Sequence, residues 1–261
     1  MVDALNIRPE IPINRYVLTV AELKTNFLFG VNFLDDDGNE FPDSLFQFYI
    51  RSAQEWFQRE VQIILFPTDI VKEVHDYEFS DFLQYGFLKL HHPPVRSVSR
   101  YDIRFPMSSQ SLQINPEWFR VNSGSGVINL IPVAGSISNM LIGAGGGFLP
   151  MLYGGNSYVP MVIEVDYAAG FKNPASIPND IKEVIGMKAA MGPFNIAGDL
   201  LGGAGIASKS LSLDGLSESI STTSSPEFSG YGARINQYIK QIPLHLAAIR
   251  QNLIGIQMVV C

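Results

Sequence analysis

The sequence predicts an α+β fold: a helical bundle with an inserted antiparallel β module and an extended C-terminal docking arm. Three observations lead to this prediction: helical periodicity before residue 65, short β-prone runs after residue 85, and helical signals that return at Ile177. Helices and antiparallel strands in separate stretches of chain are typical of the α+β class. We therefore expect an N-terminal helical part (1–84), the β module (85–170), helices that complete the bundle (171–207), and a Ser-rich tether with the arm (208–261).

The composition is that of a folded protein with an acidic balance. The chain has 261 residues, of which 46% are hydrophobic and 16% charged, and its formal net charge is −7. A charged fraction below the usual value of about 25% is consistent with surface that partners cover. Net acidity argues against broad nucleic-acid binding, because phosphate affinity depends on Lys and Arg. The single cysteine, Cys261, excludes an internal disulfide framework.

Two helices are predicted in the first part of the chain. Thr19 and Glu22 have the spacing of a capping box, which marks the start of a short helix. Pro42 opens a longer helix that we expect to continue to about Ile64. The acidic stretch 35–40 lies between them and lacks the glycine that a calcium loop requires at its sixth position, so we predict a solvated turn.

Short β-prone runs, separated by Pro, Gly, Ser and Asn, predict five or six antiparallel strands in the β module. These runs lie at 87–90, 95–105, 111–114, 119–121, 126–130 and 158–167. The connection 132–156 is uncharged and glycine-rich, and loops of this length usually have a function. The stretch 127–151 is long enough to cross a bilayer, but its Pro and Gly residues favour a loop, so we expect no membrane span.

Helical signals return at 177–183, where Pro178 suits the first position of a helix and acidic residues follow it. We expect this helix to continue to about Met191. A break or kink is predicted at 192–193, where Gly precedes Pro, and a second piece should then extend to Leu201.

Sequence motifs for catalysis or cofactor binding are not found. The glycine-rich stretch 143–147 lacks the Lys-Ser/Thr of a P-loop and the strand-to-helix context of a dinucleotide fingerprint. None of the histidines, His75, His91, His92 and His245, has a metal-binding helical spacing with another. His91 and His92 could bind a metal in an oligomer, but exposed turn residues are the simpler interpretation. We predict no enzymatic activity, no cofactor and no metal site.

The C-terminal region combines basic charge with an apolar helical stripe. The stripe alternates steps of four and three and consists of Ile235, Ile239, Ile242, Leu246, Ile249 and Leu253. Arg234, Lys240 and Arg250 are the charged residues that follow Glu227. Pro243 removes a backbone donor, so we expect a kink or break in this helix.

Two interpretations of this region are open: an ordinary last helix that packs on its own core, or an arm that docks on another subunit. The Ser-rich segment 208–229 provides reach with little intrinsic order. The apolar end of the chain, which includes Val259 and Val260, is typical of segments that bind in grooves or add to sheets. These two features favour docking.

The order of the predicted elements resembles that of the head–tail connector (adaptor) proteins of tailed bacteriophages. The sharpest local match is the Ile-Pro-x-Asp-Ile-Lys helix start at 177–183. The tail from Ser210 to Ser217, and on through Tyr231 and Gly232, is similar to the larger adaptors of myovirus-like phages. The resemblance covers the helical parts and the tail, roughly half of the chain, while the β insertion is larger than in the smallest members.

The resemblance implies a ring, usually a dodecamer, that docks on the portal ring and extends the DNA channel. Its implied partners are the portal protein, neighbouring adaptor subunits and a stopper or tail-completion protein, with DNA passing through without sequence-specific binding. It implies a place in the virion neck after synthesis in the host cytoplasm, and the N-terminus shows no apparent signal peptide. The residues that it assigns to portal binding are Arg234, Ile235, Tyr238, Ile239, Lys240, Ile242, Leu246, Ile249, Arg250, Leu253, Val259 and Val260.

Two other classes of protein stay open. The first is another neck, tail or baseplate protein, such as a stopper or a tail terminator, and these tend to be β-barrels without long helices. The second is a cellular protein that binds a small molecule in the β module, which would be monomeric and would need no docking arm.

Overall fold

The computed structural model describes residues 15–82, 87–105, 110–131, 156–202, 208–213, 216–221 and 231–254. The chain forms two compact units, a β unit of residues 62–176 and a helical unit of residues 14–61 and 177–250. Helices and antiparallel sheets thus occupy separate parts of the chain, and the α+β class is confirmed. The predicted loop 132–156 lies outside the described residues except for its last position. No helix in the described ranges has the length and apolar character that crossing a membrane requires.

The helices are α1 (Val20–Asn26), α2 (Asp43–Val61), α3 (Asn179–Gly202) and α4 (Gly232–Ile254). The strands are β1 (Thr68–Glu78), β2 (Phe87–Lys89), β3 (Val95–Arg104), β4 (Ser111–Gln113), β5 (Phe119–Asn122), β6 (Val127–Leu130), β7 (Tyr158–Ala169), β8 (Ser208–Leu213) and β9 (Leu216–Ser221).

Two antiparallel sheets build the β unit. The larger has the strand order β1-β7-β3-β4, and the smaller has the order β2-β6-β5. Residues from both sheets share one hydrophobic core, which includes Tyr77, Tyr101, Ile128, Ile163 and Tyr167. The alternation of side chains along each strand directs these residues inward, so burial of apolar area holds the two sheets together.

Strand β1 was not predicted, and it moves the start of the β unit from residue 85 to residue 62. Its inward positions carry polar as well as apolar side chains, because Glu73 and His75 are buried there. The ladder with β7 also shifts its register between Ile70 and Glu73, and Lys72, inside this shift, has a φ of 56°. A bulge of this kind changes which residues face inward, so the alternation of apolar residues is lost in the sequence.

In the helical unit, α1, α2 and α3 pack around an apolar core. The ring of Phe33 meets Phe46 edge-on at 5.6 Å and lies 6.2 Å from Phe194. The rings of Phe27 and Tyr49 approach the α3 backbone at Gly186 and Gly192, where an added Cβ would overlap them. The absence of side chains at these two positions therefore allows close contact between α3 and its neighbours.

The boundaries of the first two helices follow their predicted signals. The capping box is present, since the Thr19 hydroxyl accepts from the N–H of Glu22 and the Glu22 carboxylate accepts from the N–H of Thr19. Helix α2 begins directly after Pro42 and ends at Val61, three residues before the predicted end. The turn at 35–40 is held by Asp35, whose carboxylate accepts from the N–H groups of Asp37 and Asn39.

Neither internal proline breaks its helix, so the predicted breaks are wrong, whereas the alternative of a kink stays a prediction. Helix α3 continues through Pro193, and α4 continues through Pro243. A proline removes one backbone donor but leaves the bonds on either side, so packing along the helix can hold both halves in one element.

The predicted tether 208–229 contains regular structure. Strands β8 and β9 form an antiparallel hairpin in which Ser208 pairs with Ser221 and Leu213 with Leu216. Alternating Ser and Leu or Ile residues are compatible with a strand, although the serine content indicated a flexible linker. Residues 214–215 and 222–229 of the predicted tether lie outside the described residues.

Candidate docking surface

Helix α4 contains most of the residues to which the resemblance to adaptor proteins assigns portal binding. It begins at Gly232, and its apolar stripe follows the helical period as predicted. Five of these side chains are buried in the structure: Ile235, Tyr238, Ile242, Leu246 and Ile249. Leu253 is half-buried. Ile239, at 41%, is the only exposed residue among the assigned apolar residues whose burial is described.

Contacts within the helical unit hold α4 in place. The Tyr238 hydroxyl donates to the carbonyl oxygen of Phe27 at 3.2 Å, and burial raises the pKa of this hydroxyl. The ring of Phe194 on α3 lies 5.2 Å from Tyr231 and 6.3 Å from Tyr238. Arg250 pairs with the Glu60 carboxylate at 2.5 Å. These contacts fix α4 against α2, α3 and the end of α1.

The structure shows the inner stripe of α4 buried within its own chain, while docking of these residues on a portal stays a prediction. The stripe already finds its hydrophobic burial in its own chain, and Arg250 has an acidic partner there. A helix that is apolar along one stripe packs this stripe against an apolar core, and the helical unit provides one. Docking through the five buried residues would require α4 to leave the helical unit.

The opposite side of α4 presents a second apolar strip to solvent. Leu244 is 72% exposed, and the exposed residues form two rows at i, i+4 spacing. We call this strip the α4 outer face, and it consists of Ile239, Lys240, Pro243, Leu244, Ala247 and Ala248. Arg234 lies one turn before it, exposed, with its guanidinium 6.0 Å from the Tyr238 ring centre.

The assigned residues thus separate into groups. Arg234, Ile239 and Lys240 are accessible, and Arg250 is paired within the chain. Val259 and Val260 lie outside the described residues. Sequence reasoning missed Leu244, although its spacing of four from both Lys240 and Ala248 marks a second stripe that could have been found.

A separate cluster of polar side chains lies in the β unit. The Glu73 carboxylate is within 2.7 Å of His75 Nε2 and 3.5 Å of His91 Nδ1, and Nε2 of His92 is 4.0 Å away. The Tyr167 hydroxyl and the N–H of His91 donate to the same carboxylate. The rings of His75 and His91 stack with centres 4.5 Å apart. The prediction that His91 and His92 are simple turn residues is thus incomplete, because both converge on a buried acid.

The electrostatics of this cluster favour a charged Glu73 carboxylate beside a neutral His91 ring. Burial alone would raise the pKa of Glu73, but hydrogen bonds from His75, Tyr167 and the N–H of His91 lower it below its ordinary value. Burial lowers the pKa of His91, against the attraction of Glu73. Burial and the neighbouring Glu73 charge raise the pKa of Tyr167, so its hydroxyl keeps the proton that it donates.

Comparisons with known proteins give three structural similarities at low identity. A chain of the neck of an empty gene transfer agent particle computed with C6 symmetry is 15% identical, with a TM-score of 0.39 over 69% of this chain and 78% of that one. A chain of the native gene transfer agent virion is 13% identical, with a TM-score of 0.45 over 98% and 97%. A chain of the native neck computed with C12 symmetry is 15% identical, with a TM-score of 0.37 over 67% and 75%.

All three TM-scores are below 0.5, so these similarities do not establish a shared fold. No protein-family model and no curated protein matches the chain.

Proposed function

We propose that the protein is a structural component of a virion neck, a head-to-tail adaptor that forms a ring on the portal. The observation that carries this proposal is the insertion of the β unit between two helical stretches, 14–61 and 177–250. This is the element order of the adaptor proteins that the sequence resembles. The matched helix start at 177–183 includes the first turn of α3, the longest helix among the described residues.

The α4 outer face is the surface that we assign to the portal. Exposed Ile239 and Leu244 supply apolar contact area, and Lys240 and Arg234 supply positive charge beside it. An apolar centre with a charged margin is the usual composition of a protein interface. In this version of the proposal α4 docks as a folded helix, and its inner stripe stays buried in its own subunit.

The net charge of −7 supports a role around passing DNA. A strongly positive wall would bind phosphates and retard the duplex, whereas an acidic wall binds them weakly. The ring would thereby extend the channel without sequence-specific contact.

The test is to mix the purified chain with portal rings of the same virus and to image the rings for an added layer of density. We expect wild-type protein to add a layer, and Leu244→Glu combined with Ile239→Glu to prevent it, because two charges would be buried at the contact. Thermal unfolding of the variant should match wild type, since both side chains are exposed.

A matched control is Phe48→Glu, which places the same charge at a 63% exposed apolar position of α2. This variant should still add the layer. Failure of wild-type protein to add a layer would refute the adaptor role. A full layer with the double variant would instead refute the assignment of the α4 outer face.

A further inference from the structure

Three side chains of the β unit hold potential metal-ligand atoms close together. Glu73 and His75 occupy alternate positions of β1 and face the same side, and His91 follows β2. One carboxylate oxygen of Glu73, one ring nitrogen of His75 and one ring nitrogen of His91 all lie within 4.8 Å of one another. These atoms are the nitrogen and oxygen ligands that zinc binds in proteins.

One of the two separations from Glu73 Oε1 matches that of a tetrahedral site. With metal–ligand bonds of about 2.1 Å, neighbouring ligand atoms of a tetrahedron are roughly 3.4 Å apart. The separation of Glu73 Oε1 from His91 Nδ1 is 3.5 Å. The separation of Glu73 Oε1 from His75 Nε2 is 2.7 Å. Metal binding would require the His75 ring to leave its hydrogen bond to Glu73 and its stack on His91, and to lose its N–H proton.

The residues around Glu73 orient its carboxylate and leave the site open to solvent on one side. The Tyr167 hydroxyl binds Glu73 Oε2 and orients the carboxylate, as outer partners do at metal sites. Oε1 of Glu73 bonds to the N–H of His91 and to Nε2 of His75, so its second lone pair becomes available to an ion when His75 gives up its hydrogen bond. The side chains of Glu73 and His75 are almost fully buried, whereas that of His91 is 62% exposed. An ion could therefore enter from the His91 side.

We propose that Glu73, His75 and His91 form a zinc-binding site that joins β1 to the segment after β2. Two imidazole nitrogens and one carboxylate oxygen suit zinc better than magnesium or calcium, which prefer all-oxygen sites. Water takes the fourth position, or His92 does, since its Nε2 is 4.0 Å from Glu73 Oε2. The site departs from the expectation of no metal, because it depends on β1, which the sequence did not predict.

The test uses the full-length, untagged chain with Cys261→Ser in every variant, which removes a thiol that could bind zinc elsewhere. After treatment with a chelator, zinc chloride is titrated by calorimetry, and thermal unfolding is recorded with and without zinc. Cobalt is used as a second probe, because its visible absorption reports tetrahedral coordination. We expect saturable binding of a single ion and a higher melting temperature with zinc.

His91→Ala is the informative variant, because its exposed ring can be removed at little cost to folding. It should weaken zinc binding at least about tenfold and abolish the rise in melting temperature. His245→Ala, which removes a histidine of α4, is the matched control and should bind zinc as wild type does. Unchanged affinity in His91→Ala, no zinc binding by wild type, or a cobalt spectrum without tetrahedral bands would each overturn the proposal.

Discussion

The two units differ in the polar side chains that they bury. The β unit buries four that can carry charge: Glu73, His75, Asp102 and Glu164. Among the described residues with assigned burial, the helical unit buries one side chain of the charged or amide kind, the uncharged Gln54. Asp102 and Glu164 even face each other as register partners on β3 and β7. Such a pair is tolerated because Arg100 binds Asp102 and Arg104 binds Glu164. The helical unit instead covers continuous apolar stripes, with Ile235 and Phe46 fully buried.

The difference shows that the two units specify their structures in different ways. In the β unit, a carboxylate at an inward position must meet its partner, so a register slip by one residue would leave charges buried and unpaired. In the helical unit, the positions of apolar residues at steps of three and four suffice to choose the packed face. The following predictions test how far this contrast holds, from the largest expected effect to the smallest.

The largest effect is expected at Gly170, where the β unit brings two backbones together. Gly170 has φ 85°, and an added Cβ would overlap the carbonyl oxygen of Phe66. Gly170→Ala should lower the free energy of unfolding by about 4 kcal/mol, from a left-handed conformation and a clash with backbone that cannot rotate away. Urea unfolding followed by circular dichroism measures this change.

Gly126→Ala is the matched control in the same unit. Gly126 has φ 71°, but an added Cβ would meet its neighbours at 3.4 Å or more, which is ordinary contact. This variant should lose only about 1 kcal/mol from the backbone conformation. If both variants lost the same free energy of unfolding, the close approach of Gly170 to Phe66 would not contribute to the cost of the substitution.

The next prediction concerns the helical unit, where burial of α4 can be measured directly. Ile235 is fully buried and Ile239 is 41% exposed. Ile235→Ala should lower the free energy of unfolding by about 3 kcal/mol, and Ile239→Ala by less than about 1 kcal/mol. Chemical unfolding of the isolated chain gives both values. If α4 were detached from the rest of the chain before assembly, neither variant would change the free energy of unfolding. This result would support the predicted docking arm.

The same contrast explains what the sequence could reveal. The capping box of Thr19 and Glu22, the start of α2 and the stripe of α4 were predicted, because each depends on residues near in sequence. The surface that covers the α4 stripe could not be predicted, because an apolar stripe does not identify its packing partner. Strand β1 was missed since a bulge and two buried polar residues hide its alternation. The Glu73 cluster then could not be assembled, because its histidines lie on separate elements.

A smaller effect is expected for the paired charges of the β unit. Glu164 is nearly buried, and Arg104 neutralises it. Arg104→Met keeps much of the side-chain volume but leaves the carboxylate without this partner, so the free energy of unfolding should fall by about 2 kcal/mol. Arg96→Met on the same strand is the control. Its pairing with Asp69 is long, at 3.9 Å, and exposed, so its loss should cost less than about 0.5 kcal/mol. Similar values for both variants would mean that the buried acids do not depend on their cations.

The smallest effect is expected at the capping box, which lies at the surface of the helical unit. Thr19→Ala removes the hydroxyl that accepts from the N–H of Glu22, and it should cost about 1 kcal/mol near neutral pH. Hydrogen bonds from the Thr19 backbone and hydroxyl lower the pKa of Glu22 below its ordinary value. A carboxyl group whose pKa is lower in the folded state stabilises the fold above its unfolded pKa, and this contribution is lost as the pH falls through the folded value.

The loss caused by Thr19→Ala should therefore shrink between about pH 5 and about pH 3, as Glu22 takes up its proton. Glu22→Gln separates the two parts of the box, because its amide oxygen can still accept from the N–H of Thr19 but does not titrate. In that background, the cost of Thr19→Ala should be nearly constant over the same range in chemical unfolding experiments. A cost in the wild-type background that does not change with pH would show that the carboxylate charge has no part in the cap. The helical unit would then depend on apolar stripes and neutral hydrogen bonds alone, and its contrast with the charged core of the β unit would be sharper.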